Sequence, residues 1–159
     1  MPAAMHSQYL RSCYLHNLLI VPNAFVLNGV PIDFGKVTQP MYVLGAEADH
    51  IAPWRTTYMT SQHVSGDVRY TRTNSGHVAG ICNPPGNKKA VYWTNEHTVK
   101  GESPDAWLER STKHQGSWWE DWAVWADKVG GAMRAPYELP QGGAPAPGLY
   151  VRNETPVEA

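Results

Sequence analysis

Cysteine is scarce in this 159-residue chain: Cys13 and Cys82 are the only two, they form no CxxC pair, and no Cys/His spacing matches a zinc site. The sequence therefore predicts neither a disulfide framework nor a bound metal. Charge of one sign is also missing. Thirteen basic against fourteen acidic residues leave a formal charge of −1, which removes the electrostatic footprint of a nucleic-acid binder or of a protein held to an anionic membrane surface. No stretch approaches the ~20 apolar residues of a membrane span. Met1 to His6 carries neither the basic region nor the apolar run of a secretory leader. A cytosolic location is the expectation, and no internal repeat is visible.

What is present is an ordinary globular composition, 42% apolar and 17% charged, at a length that suits one domain with one modest core. Met5, Tyr9, Cys13, Leu15, Leu18 and Leu19 recur near helical spacing ahead of Pro22, which predicts an amphipathic helix from Met5 to Ile20. Asn28-Gly29 lies between Ala24-Phe25-Val26-Leu27 and Val30-Pro31-Ile32, the sequence of a two-residue hairpin turn. Pro31 confines its strand to a sheet edge. The continuous apolar run Met41 to Gly45 predicts a strand buried on both faces of a parallel sheet. A helix should begin near Pro53, bury Trp54, Tyr58 and Met59, and stop at Gly66. Val68 to Thr73 reads as the next strand.

Strand, helix, strand is the unit of a doubly wound α/β sheet, in which ligands bind beyond the carboxyl ends of the strands. Beyond it, Ala90 to Thr94 suggests a short strand and Ser103-Pro104-Asp105 a capped helix start. Ser117-Trp118-Trp119-Glu120 has the form of a capping box opening a helix from Trp118 to Val129, with Trp118, Trp122, Trp125 and Val129 on one buried face. Trp119 lies off that stripe and is the better candidate for an exposed contact. From Ala135 the prolines and glycines describe an extended strap, dividing the chain into 1–134 and 135–159.

Two segments carry the chemistry. Asp49-His50-Ile51-Ala52-Pro53-Trp54 follows the first predicted strand of the unit, and Ser75-Gly76-His77-Val78-Ala79-Gly80 follows the second. A histidine that serves as a general base needs an aspartate on its other ring nitrogen to fix the tautomer and stabilise the imidazolium. Singly, Asp49 reads as a turn aspartate and His77 as a structural histidine beside a glycine turn. Together at adjacent strand ends they favour an acid and a base. His50 is a candidate to orient Asp49 or to touch a substrate. The nucleophile is what the sequence lacks, because no G-x-[SC]-x-G elbow occurs. Pro84 stands where the last glycine would be if Cys82 filled that role, so Cys82, like Cys13, is read as a packed thiol.

The order of motifs adds a resemblance. Asn28-Gly29-Val30-Pro31-Ile32-Asp33, the two segments above, Asn83-Pro84-Pro85, Tyr92-Trp93-Thr94-Asn95, Gly116-Ser117-Trp118-Trp119-Glu120-Asp121-Trp122 and Ala146-Pro147-Gly148-Leu149-Tyr150-Val151 closely resemble the C-terminal part of poly(3-hydroxyalkanoate) synthases, most of all class I. The resemblance implies the C-terminal portion of an α/β-hydrolase fold, doubly wound with a mostly parallel sheet and incomplete in this chain. It implies an acyltransferase that polymerises (R)-3-hydroxyacyl-CoA and releases CoA without a cofactor, with Asp49 and His77 as catalytic residues and a cysteine nucleophile carried elsewhere. It further implies a growing polyester chain as partner, a granule-associated location and a homodimer of the full enzyme. The competing expectations are an esterase or depolymerase fragment of the same fold, and a non-catalytic granule-binding module.

Overall fold

The computed structural model of the chain describes residues 1–138 and 142–152. The N-terminal helix α1 (Ala3–Tyr9) runs into a wider π-type turn over Leu10–Leu15 and stops at Asn17, whose φ of 48° lies in the left-handed region. The single helix expected to Ile20 is therefore broken by backbone geometry, and a 3₁₀ turn covers Leu18–Ile20. Strands β1 (Val26–Leu27) and β2 (Val30–Pro31) pair antiparallel around Asn28 and Gly29, at φ 49° and 79°. That is the turn the Asn-Gly pair favours. No residue before Gly45 is buried.

The body is a four-stranded sheet in the order β3 (Met41–Ala46), β4 (Val68–Thr73), β5 (Val91–Thr94), β6 (Thr112–Gln115). Only β3 and β4 run parallel, with Met41 opposite Val68 and Ala46 opposite Thr73. The other two pairings are antiparallel, so within this chain the sheet is mixed rather than mostly parallel. The cause is the connection from β4 to β5: residues 74–90 contain turns but no helix to carry the chain back to the far end of the sheet. Strand β6, unforeseen in the sequence, is held by its pairing to β5 and by His114 stacked on Tyr92 at 4.8 Å. Among the described residues β3 has β4 as its only partner, and Met41 to Leu44 are half-buried instead of enclosed on both faces.

Because side chains alternate across a strand, the sheet has two unlike faces. On one, α2 (Trp54–Tyr58) and α4 (Pro104–Glu109) pack an aromatic core of Trp54, Tyr58, Tyr70 and Trp107. Tyr70 meets Tyr58 and Trp107 edge to face at 5.1 and 4.9 Å, the arrangement ring quadrupoles prefer. Gly45 is required beneath them, since a Cβ there would fall 2.6 Å from Thr57 Oγ1. The helix expected up to Gly66 divides into α2 and α3 (Thr60–His63), and Met59, at the break, is exposed rather than buried.

On the opposite face lies α5 (Trp118–Gly130). Tyr42 packs against Trp118 and Trp125, donates its hydroxyl hydrogen to Asp121 at 2.8 Å and accepts from Thr71. Arg69 grips the same carboxylate through both Nε and Nη2. Burial pushes the Tyr42 phenol well above its ordinary range, so it remains a donor. The tryptophan stripe is only half covered: no residue of α5 is buried, and Trp122 and Val129 are exposed, as Trp119 is. In the expected strap, 132–138 and 142–149 have no helix or strand and a 3₁₀ turn spans Tyr150–Arg152. Residues 139–141 and 153–159 of it, with Pro140 among them, lie outside the described residues.

Candidate active site

Parallel pairing in register brings β3 and β4 to a common end, and the pairing continues past both strands. Glu47 N–H donates to Thr73 O at 2.8 Å and Ala48 N–H to Ser75 O at 2.9 Å. Ser75 adopts φ 71°, a left-handed turn unusual for a non-glycine residue. The two chains then diverge into loops that carry Asp49 and His77.

Asp49 is 8% exposed, and among the described residues its carboxylate has three hydrogen-bond partners. Its Oδ1 accepts from the amides of Ile51 and Ala52, each at 2.9 Å. Its Oδ2 lies 2.8 Å from His77 Nδ1. The Ala52 amide, with further help from His77 and Ile51, outweighs burial and holds the Asp49 carboxyl down to about 2. An ionised Asp49 requires the proton on His77 Nδ1. In the neutral ring Nε2 then carries the lone pair, and the side chain is 47% exposed. This is the geometry that a general base with an orienting acid would need, with the ring open on its outer side.

The structure thus joins Asp49 and His77, the two residues the sequence paired. It does not join His50 to them: His50 is exposed and makes no side-chain hydrogen bond among the described residues. Cys82 is exposed and Cys13 half-buried, both free thiols. The packed position expected for Cys82 is corrected by the outward turn of Val78–Cys82, closed by Cys82 N–H to Val78 O at 2.8 Å.

Sequence reasoning missed three supports. The amides of Ile51 and Ala52 were signalled by an aspartate two and three residues ahead of them, the pattern of a local side-chain turn. Gly80 seats the histidine loop on β3, where a Cβ would sit 2.8 Å from both Ala46 Cβ and Asn74 O. The third is the start of α5. Ser117 accepts from Trp119 N–H at 3.0 Å as a cap should, but its hydroxyl donates to Asn83 O, and Glu120 makes no return bond among the described residues. The capping box is half made because Ser117 serves the histidine loop as well.

Sequence comparison supplies the context for this dyad. No protein-family profile matches the chain. Against individual proteins, it is 39% identical over 158 residues to the poly(3-hydroxyalkanoate) polymerase subunit PhaC of Cupriavidus necator, covering 96% of this chain and 26% of that protein. The similarity is to poly(3-hydroxyalkanoate) polymerases. The corresponding protein of Methylorubrum extorquens is 40% identical over 157 residues, again 96% of this chain and 26% of the relative. Poly(3-hydroxyalkanoate) polymerase 1 of Ectopseudomonas oleovorans is 36% identical over 156 residues, 95% and 27% of the two chains. The chain spans about a quarter of the length of these polymerases, and its resemblance to them extends along nearly all of its own.

Proposed function

We propose that this chain is the C-terminal catalytic portion of a poly(3-hydroxyalkanoate) synthase with an α/β-hydrolase fold, supplying Asp49 as the acid and His77 as the base to a cysteine borne by a part of the enzyme outside these residues. The observation that carries the reading is the 2.8 Å approach of Asp49 Oδ2 to His77 Nδ1, with Asp49 Oδ1 occupied by backbone amides. In the first step His77 Nε2 takes the thiol proton. The thiolate then attacks the thioester carbonyl of (R)-3-hydroxyacyl-CoA, and the CoA sulfur leaves with the proton from His77. In the second, His77 accepts the proton of the attacking 3-hydroxyl, the acyl group passes from sulfur to that oxygen, and the departing cysteine thiolate takes the proton back from His77. Asp49 keeps the imidazolium favourable throughout. No cofactor is needed.

The same reading accounts for the uncovered surface. Tyr14, Leu15, Val26, Leu27 and Val30 are exposed, and the free side of β3 offers backbone groups to another strand. The remainder of the enzyme would cover both, and Trp119 with Trp122 would face the polyester or its granule. The test is a hybrid in which the matching segment of the Cupriavidus necator polymerase is replaced by this chain. The hybrid is expected to release CoA from (R)-3-hydroxybutyryl-CoA and form polymer, and the chain alone to release none. A hybrid that is folded yet inactive would refute the assignment. One that forms free 3-hydroxybutyrate in place of polymer would make it a hydrolase.

A further inference from the structure

His77 sits on a loop, and three hydrogen bonds from the first turn of α5 hold the far side of that loop. The Trp118 indole N–H donates to Ile81 O at 3.1 Å, and the Trp119 indole N–H reaches the same carbonyl at 3.4 Å. The Ser117 hydroxyl donates to Asn83 O, and Ser117 and Asn83 are 1% and 3% exposed. The loop is short and internally tied: Gly80 N–H donates to Gly76 O at 2.8 Å, and Ile81 and Cys82 N–H both donate to Val78 O. A displacement at Ile81 therefore passes to His77 through only three intervening residues of turn. The clamp itself is fixed, because Trp118 lies stacked 6.0 Å from Tyr42, and Tyr42 is bonded to Asp121 and Thr71. His77 has a single side-chain hydrogen bond among the described residues, to Asp49, so the loop must set where the ring stands.

We propose that Ser117 and Trp118 are positioning residues for His77: they hold the Ile81–Asn83 backbone so that Nδ1 stays on Asp49 and Nε2 faces the nucleophile. This explains the residue types at the helix start. An indole is a donor that cannot accept, long enough to reach a carbonyl while its ring packs on Tyr42. A serine at the cap can accept from its own helix and donate to the loop at once. Their role is to hold the loop rather than to react, and it rests on His77 being the base.

The experiment uses the hybrid polymerase and, separately, the 159-residue chain at low micromolar concentration. Trp118→Phe keeps the ring on Tyr42 and removes the N–H. Ser117→Gly keeps an acceptable cap and removes the donor. In the chain, hydrogen exchange read by mass spectrometry should quicken two- to tenfold in the peptide covering residues 76–83, the range expected for one neutral hydrogen bond, and stay unchanged over β4 and α4. In the hybrid, kcat should fall by the same factor with KM unchanged, the split expected when ring placement rather than binding is lost. Unchanged loop exchange in both variants would overturn the clamp, whatever the hybrid does. Faster loop exchange with full kcat would overturn the positioning role. A parent hybrid that is folded yet inactive would instead refute His77 as the base, and with it any positioning of a base by α5.

Discussion

Asp49→Asn is the substitution whose consequence the geometry fixes most tightly. The asparagine is the same size, and its carbonyl oxygen can still accept from the Ile51 and Ala52 amides, which leaves its NH₂ facing His77 Nδ1. A donor there forces Nδ1 to be the acceptor and moves the ring proton to Nε2, the nitrogen that has to receive the nucleophile's proton. Turning the amide over would restore the original tautomer. It would also give up two backbone hydrogen bonds and set an NH₂ against two N–H groups. Each such bond is worth roughly a factor of ten, so the turned form is held to about one molecule in a hundred. The turned fraction keeps the productive tautomer, so kcat in the hybrid polymerase should fall about 100-fold, the lower end of what general-base catalysis contributes, with KM unchanged and the fold retained. The assay is CoA release from (R)-3-hydroxybutyryl-CoA with a thiol reagent that does not need the enzyme's own base. An Asp49→Asn hybrid within fivefold of its parent would show that the tautomer of His77 is irrelevant, and the reasoning would fail.

Gly80→Ala forces the histidine loop off β3, because the new Cβ would meet Ala46 Cβ and Asn74 O at 2.8 Å; loss of at least tenfold in hybrid kcat is expected, with the β4 and α4 peptides exchanging hydrogen as before. Asp121→Asn leaves Arg69 without its counter-ion on a side chain that is 25% exposed, and since full burial would place the loss at 3–5 kcal/mol, about 2 kcal/mol is expected, read as roughly thirtyfold faster native-state proteolysis at low protease. Trp107→Ala empties the centre of the aromatic core, where Trp107 is 0% exposed, and should cost about 3–5 kcal/mol in the same assay. The folded-state pKa of Asp49 is depressed to about 2, so its contribution to stability is complete above the ordinary carboxylate range near 4 and is lost as pH falls toward 2. Acid titration of the dyad by NMR should show Asp49 still ionised at pH 3.

The parts of this fold that were legible are those where local chemistry and tertiary environment ask for the same residue. Asn28-Gly29 must turn whatever surrounds it. Ser103 and Ser117 cap their helices because a hydroxyl ahead of an orphan amide is useful in any context. Asp49 and His77 could be paired because each stands a few residues past a recognisable strand, and parallel strands deliver their carboxyl ends to one place. Where packing decides, the residues alone did not speak. The polar run Thr112-Lys113-His114-Gln115 has no strand pattern of its own, and becomes β6 because β5 presents Tyr92 and Trp93 for His114 and Lys113 to cover. Arg72 is 7% exposed between the rings of Trp54 and Trp93, a burial that no hydropathy pattern predicts for arginine, and it is balanced by Glu47 at the end of β3. The half-covered tryptophan stripe of α5 went the other way: apolar spacing says which face a helix turns to a neighbour, and says nothing of how much neighbour there is. The uncovered rings, the free side of β3 and the unburied first 44 residues therefore raise one physical question. Monomeric proteins rarely leave a large apolar surface open, and on the reading proposed above the additional chain of relatives about four times as long would cover it. On that same reading, the additional chain is also where the cysteine for His77 is expected.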